Sequence, residues 1–468
     1  MADCRMAMPA FPAAAGAMPA FPTTGGAAGV QQPTSGQQHH QHMRGLFAKR
    51  GAFSHGLLFV PKERHGDGWQ PQLRGSQFPR DCKHHLLVED DMTRSGLGFT
   101  ARLLSSALLL AARLRRVLIE VPQRNTTTGA LVGRWCNRPP HTLQCLFEPW
   151  SDCEVPPART TVLFEDECRC ILHYHWRNRT ANCTGHVDFP GDRIACLVGL
   201  QAPSVRIRLS SIFRLQGLWV GPGPDAFGPL RAAHRLLFSP RQWVRELSAC
   251  VMRQHGLSAG RYLTVHIRLS PEKQHEVGRG GKRLPNVREY TRLTQLAVHA
   301  TGLRDVFVST AHPHALEEFV AWAREQNLSV SYTQNPRSET DAWGGWSSDE
   351  EGTAIQSATA AVNYYLSSHA AMLISPSLSI WTPFLVHAMG YDAHAPPETA
   401  PRVAGGTNSS LPHISPDVAE FSFLCSKSAR GASYLRVVAP FAAVNWSAVD
   451  RMWKASDDFA CTGKSRSH

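Results

Sequence analysis

The sequence predicts an α/β protein with a parallel sheet covered by helices on both faces. Short apolar runs alternate with longer stretches of helical periodicity from residue 85 to residue 389, and that alternation is the signature of parallel strands joined by crossover helices. The chain has 468 residues, 43% hydrophobic and 18% charged, enough for about two to three domains and too apolar for wholesale disorder.

Residues 1–60 read as a disordered low-complexity tail. Met-Pro-Ala-Phe-Pro occurs at 8–12 and again at 18–22, and a Gln/His tract fills 37–42. The first folded unit is expected to start near Arg80. His85-Leu-Leu-Val-Glu89 is a strand, a loop with Asp90, Asp91 and Ser95 leads to Gly96-Leu-Gly98, and 99–114 carries apolar residues at helical spacing. Val117-Leu-Ile-Glu-Val121 is the next strand, and Pro122 ends it. A Cys-rich insertion occupies 134–196, and 231–256 is helical with Pro240 breaking it early.

The second half is more regular. Strands are expected at 261–267, 305–309, 328–333 and 371–375, and helices at 287–300, 313–327, 348–368 and 379–389. Beyond Ala395 the composition turns to Pro, Gly, Ser and Ala, which reads as a tail or wrap-around segment. The division is therefore 80–256, an N-terminal half; 257–395, a second half; and 396–468, a tail.

The net charge of +12 suits an anionic ligand such as nucleic acid, a membrane surface or a sugar nucleotide. The best apolar run, 103–112, is flanked by Arg102 and Arg113 and is ten residues long, about half the ~20 that a membrane span needs. No membrane anchor and no standard signal peptide is visible in 1–50.

Compartment signals point the other way. Six of the ten Asn residues begin an Asn-x-Ser/Thr sequon: Asn125, Asn178, Asn182, Asn327, Asn408 and Asn445. Seven of the twelve Cys fall between Cys136 and Cys196, without the paired spacing of a zinc site. Disulfides in the lumen of the secretory pathway, the Golgi above all, are the expectation, against buried free thiols. Such a compartment also argues against a nucleic-acid partner.

Ligands of open parallel sheets bind outside the carboxyl ends of the strands. The ends here carry His266-Ile-Arg268 followed by Lys273 and Glu276, then Thr310-Ala-His312, then Ser375-Pro-Ser377-Leu-Ser379. An Arg fork, a Lys and hydroxyls at a helix start form a diphosphate-binding set, with Glu272 and Glu276 the carboxylates beside it. Plainer readings exist for each: a surface ion pair for Arg268, a helix cap for Ser377 and Ser379, a tight turn for Gly96 and Gly98, a satisfied core histidine for His266.

These segments together resemble the alpha-1,6-fucosyltransferase and protein O-fucosyltransferase superfamily. Ser95-Gly-Leu-Gly-Phe-Thr-Ala-Arg102 through Arg116-Val-Leu-Ile119 is similar to its glycine motif, helix and following strand. Leu237-Phe-Ser-Pro-Arg-Gln-Trp-Val-Arg-Glu246 resembles the segment before its donor domain. Val265-His-Ile-Arg268 with Glu272-Lys273, Val308-Ser-Thr-Ala-His-Pro313, Tyr364-Tyr-Leu-Ser367 and Ile374-Ser-Pro-Ser-Leu-Ser379 follow in the family's order over about 85–390. The resemblance implies a GT-B-like fold of two Rossmann-like halves with the site between them. It also implies GDP-fucose as donor, no required metal or other cofactor, a glycan or glycoprotein acceptor, and inversion at the anomeric carbon.

Carried over by position, Arg268 matches a diphosphate-binding Arg, Lys273 a motif Lys, and Glu276 stands near a catalytic base. Ser377 or Ser379 matches a donor-contacting Ser, and Gly96 and Gly98 match glycines facing the cleft. His266, Thr310 and His312 complete the donor side. The chain departs from the pattern at Leu269, where a second Arg is expected, and at Ala311-His312, where two acids are expected. Those departures leave open a protein O-fucosyltransferase or an inactive glycan- or nucleotide-sugar-binding relative.

Overall fold

A computed structural model describes residues 69–91, 96–124, 131–132, 135–136, 141–157, 160–164, 202–215, 227–278, 282–334, 337, 350–389, 418–428, 431–440 and 463–466. Residues 1–68, all of the Cys-rich stretch beyond 164, and every sequon except Asn327 lie outside these residues.

The first half holds helix α1 (Trp69–Gln77), strand β1 (His85–Glu89), helix α2 (Leu97–Arg113), strand β2 (Val117–Val121), a short hairpin of β3 (Gln123–Arg124) and β4 (Leu131–Val132), strands β5 (Thr161–Leu163) and β6 (Ser204–Arg208), and helices α3 (Leu209–Leu215), α4 (Phe227–Leu237) and α5 (Gln242–Gln254). Its main sheet runs β2-β1-β6-β5, and each pair is parallel. Strand β1 is central, and Leu86, Leu87 and Val88 on it are fully buried. That burial on both faces explains its unbroken apolar run.

The second half follows with β7 (Leu263–Ile267), α6 (Pro271–Gly278), α7 (Val287–Thr301), β8 (Asp305–Thr310), α8 (Pro313–Glu325), β9 (Ser329–Ser331), α9 (Glu350–Ser368), β10 (Met372–Pro376) and α10 (Trp381–Ala388). Strands β10, β7, β8 and β9 are parallel neighbours in that order. Local chemistry sets the helix ends. The Asn286 side chain accepts from the Glu289 N–H while the Glu289 carboxylate accepts from the Asn286 N–H, and Gly302, at φ 71°, closes the same helix in the left-handed region.

The structure differs from the sequence reading in three places. The folded part begins before Arg80, because α1 buries Leu73 completely and the Gln77 side chain accepts the Leu118 N–H at 3.2 Å. Strand β6, not foreseen, lies beside β1. The segment after 395, expected as a tail or wrap-around segment, contributes β11 (Val418–Ser428), β12 (Gly431–Pro440) and β13 (Gly463–Arg466). These extend the second sheet in antiparallel fashion from β10, through β12 and β11 to β13.

The halves share a core. Helix α10 crosses back to lie on α2 and α4, so Phe384, Leu385, Val386 and Met389 pack with Leu104, Leu108 and Leu237 of the first half. The Arg231 guanidinium donates to the Met389 carbonyl at 2.9 Å, and His234 Nε2 lies 3.0 Å from the Tyr364 hydroxyl of α9. Two disulfides, Cys82–Cys153 and Cys136–Cys145, staple the first half, and Cys250 is disulfide-bonded as well. Among the described residues, Cys136, Cys145 and Cys153 of the Cys-rich stretch are paired, the last to Cys82 outside it.

Candidate active site at the carboxyl edge of the second sheet

Strands β10, β7 and β8 run parallel, with Ile267 opposite Thr310 and Val265 opposite Ile374, so their carboxyl ends share one edge of the sheet. His266 ties that edge together. Its Nδ1 lies 3.2 Å from the Ser309 carbonyl of β8, and its Nε2 lies 3.3 Å from the Ser379 hydroxyl in the turn before α10. A carbonyl only accepts, so Nδ1 carries the proton and donates, and Nε2 accepts from the Ser379 O–H. Burial, with the Arg268 charge adding, lowers the His266 pKa to about 3. The ring is neutral at physiological pH and bridges three strand ends; it is too weak a base to take a proton from a sugar hydroxyl.

Arg268 follows β7 directly. It is half-buried, and its backbone N–H donates to the Tyr290 hydroxyl at 3.4 Å. Ser270 starts α6, its hydroxyl accepting from the Lys273 N–H at 3.3 Å and its carbonyl from the Gln274 N–H at 2.9 Å. Lys273 and Glu276 lie three positions apart on this helix. Leu269 packs against the apolar core of the second half.

At the end of β8 the Thr310 hydroxyl accepts from the His312 N–H at 3.1 Å. His312 Nδ1 in turn accepts from the Ala315 N–H at 3.2 Å and caps α8, whose first residue is Pro313. These contacts give Thr310 and His312 definite work as helix-start residues on the same edge.

The turn from β10 into α10 is held by side chains. Ser375 Oγ lies 2.5 Å from Thr382 Oγ1, which donates to the Pro376 carbonyl at 2.8 Å. Two polar atoms of this turn, Ser377 Oγ and Trp381 Nε1, are sealed from solvent and have no hydrogen-bond partner among the described residues.

Gly96 and Gly98 sit where the first half meets this turn. Gly96 is the N-cap of α2 with ordinary extended dihedrals, φ −79° and ψ 167°. Gly98 is required by proximity: a Cβ there would lie 3.1 Å from both the Ile380 carbonyl oxygen and Trp381 Cα. Gly98 thus lets α2 and the start of α10 touch. Tyr290, Thr382 and Trp381 belong to the edge and escape sequence reasoning. Tyr290 lies in the first turn of α7 and reaches Arg268 only through folding, whereas Trp381 and Thr382 adjoin a motif already singled out.

A separate cavity of about 270 Å³ lies in the first half, lined by Glu120, Thr142, Cys153 and neighbours on β2. The Glu120 carboxylate accepts from the Leu143 N–H at 2.9 Å, and burial together with nearby Asp90 holds its pKa well above the usual range. Among the described residues no group of three or more His, Cys, Asp or Glu side chains is placed to hold a metal ion. No helix among them is long and apolar enough to cross a membrane.

The described residues thus form two α/β halves that share a core, with the candidate residues at the carboxyl edge of the parallel strands of the second sheet. No protein-family model matches the chain. No curated protein matches it. Solved structures are similar to it: POFUT1 in complex with GDP-fucose, at 10% identity over 66% of this chain and 95% of that one, with a TM-score of 0.42. A mutant of Arabidopsis thaliana FUT1 in complex with GDP is similar at 14% identity over 69% of this chain and 73% of that one, with a TM-score of 0.38.

Proposed function

We propose that this chain is a fucosyltransferase-like glycosyltransferase that takes GDP-fucose as donor and passes fucose, with inversion, to a hydroxyl of a glycan or glycoprotein. The observation that carries the reading is the half-buried Arg268, which directly follows β7 at the carboxyl edge shared by β10, β7 and β8. A guanidinium at the carboxyl edge of parallel strands suits the oxygens of a diphosphate. The ordered motifs from Gly96 to Ser379 supply the donor's identity by resemblance.

In this reading the acceptor oxygen attacks the sugar's anomeric carbon as the carbon–phosphate oxygen bond breaks. Glu276 takes the acceptor proton, and GDP leaves with the bonding pair. Charge builds on the diphosphate as that bond lengthens, so Arg268 and Lys273 stabilise the transition state more than the ground state. His266, neutral and donating to Ser309, holds the edge in register. Residues 257–395 serve as the donor half and 80–256 as its partner, and the disulfides favour a lumenal location.

A second reading is favoured by Leu269 and His312. Leu269 is committed to the core and His312 to a helix cap, so the family's second Arg and its paired acids have no replacement at those positions. The chain would then bind nucleotide sugar or glycan without transferring it. Purified protein with labelled GDP-fucose and an acceptor glycan array separates the two: transfer is expected on at least one acceptor, and donor binding with neither transfer nor hydrolysis establishes the second reading. An equal thermal shift with UDP and GDP would count against guanine recognition.

A further inference from the structure

Asn327-Leu328-Ser329 is a sequon at the turn between α8 and the edge strand β9. Asn327 is exposed and sits at φ 54°, in the left-handed region that Asn tolerates better than most residues. Its backbone is engaged, the N–H donating to the Arg324 carbonyl at 3.1 Å and the carbonyl accepting from Arg304 Nη1 at 3.4 Å. Its side-chain amide makes no hydrogen bond among the described residues, and Ser329 is exposed as well. A second observation is the set of disulfides, which form and persist in an oxidising compartment.

We propose that Asn327 carries an N-linked oligosaccharide. The co-reactant is a lipid-diphosphate-linked oligosaccharide of the secretory pathway. The Asn327 Nδ2 forms a bond to the sugar's anomeric carbon and loses one proton, and the bond from that carbon to the diphosphate oxygen breaks as the lipid diphosphate leaves with the electron pair. Folding does not bury the product. The turn projects from the far end of α8, a helix of 13 residues and so about 20 Å long, which starts at His312 on the carboxyl edge. The sugar therefore stands at the opposite edge of the sheet from Arg268 and His266. It also stands beside β9, whose outer side has no neighbouring strand among the described residues, and a bulky solvated group there hinders strand addition from another chain.

The inference rests on the lumenal location proposed above and not on the transfer chemistry. The full chain, isolated from a eukaryotic host, is treated with peptide N-glycosidase in oxygen-18 water, and its peptides are mapped by mass spectrometry. Asn327 is expected as labelled aspartate. The label should vanish in Asn327→Gln and in Ser329→Ala, persist in Ser329→Thr, and its loss should leave GDP binding unchanged. An unlabelled Asn327 alongside labelling at another sequon overturns this site and leaves the lumenal reading standing. No label at any sequon, with Cys82 and Cys153 freely alkylated, overturns both.

Discussion

Replacing Gly98 with alanine tests whether the glycine motif exists for close contact between the halves. An exposed helical glycine is normally improved by alanine, by about 0.5–1 kcal/mol, because the unfolded chain loses freedom. Gly75 in α1 is such a position, with nothing within 4 Å of an added Cβ, so Gly75→Ala should stabilise the protein by about that amount. At Gly98 the same methyl meets the Ile380 carbonyl oxygen and Trp381 Cα at 3.1 Å. Both are backbone atoms and cannot rotate aside, so α2 and α10 must separate by a few tenths of an ångström. Overpacking of this kind costs about 1–3 kcal/mol, which outweighs the helical gain and leaves a net loss of about 1 kcal/mol. Urea denaturation of both variants reads the difference as opposite displacements of the midpoint at constant slope. Gly98→Ala should also weaken GDP binding, since Trp381 and Ser377 move with α10. If both alanines stabilise equally, the contact is not what demands glycine, and the argument fails.

Ser377→Ala removes an unpaired buried hydroxyl, so stability should hold or rise slightly while GDP affinity falls by roughly three- to tenfold, the worth of one hydrogen bond; calorimetric titration would expose unchanged affinity. Arg268→Ala should lower transfer by about 10²–10³ with the fold intact, whereas Glu276→Gln should cripple transfer yet spare GDP binding; equal loss of GDP binding in both would sink the assigned roles. His266 and His387 are both held at about 3 by burial, against an ordinary value of 6.5. As pH falls below 6.5 the unfolded chain takes up protons that the folded chain refuses until about 3, so stability drops through that window. The slope is about 1.4 kcal/mol per pH unit for each group, and His266→Gln or His387→Gln should each remove about one proton from it in denaturation series; the raised Glu120 works in the opposite sense and cancels in the comparison. Removing the Cys82–Cys153 link in a double serine variant frees a loop with a sequence separation of 71 and should cost about 4 kcal/mol; a loss under about 1 kcal/mol would mean the unfolded chain is not so constrained.

The strands nearest the candidate site were legible because they are buried on both faces. His85–Glu89, Leu263–Ile267 and Met372–Pro376 are short, mostly apolar strands with almost every residue buried. Strand β6 hid because Ser204–Arg208 alternates apolar residues with Arg206 and Arg208, straight after a Cys-rich stretch. The C-terminal strands hid because the Pro- and Gly-rich stretch before them dominates the local composition. At the site, types and order were readable but contacts were not. Nothing in the sequence says that His266 would join Ser309 to Ser379, or that His312 would spend its Nδ1 on a helix cap. Those partners lie 43 and 113 residues away for His266, and only the stacking of β10, β7 and β8 brings them within reach.

Strand β12 bears on how the protein is made. Leu435, Val437 and Ala439 enter the core of the second half, while Val438 enters the core built on β1 and α2. One strand near the end of the chain thus finishes both interiors, and α10 has already threaded part of the second half into the first. Neither half can reach its final packing on a ribosome until the last segments have emerged. An early half must wait with Leu373 and Ile374 on an open strand edge, a hazard for sticking to other nascent chains. Cutting the gene near residue 256 should accordingly yield two insoluble fragments, and their co-expression should restore what neither achieves alone.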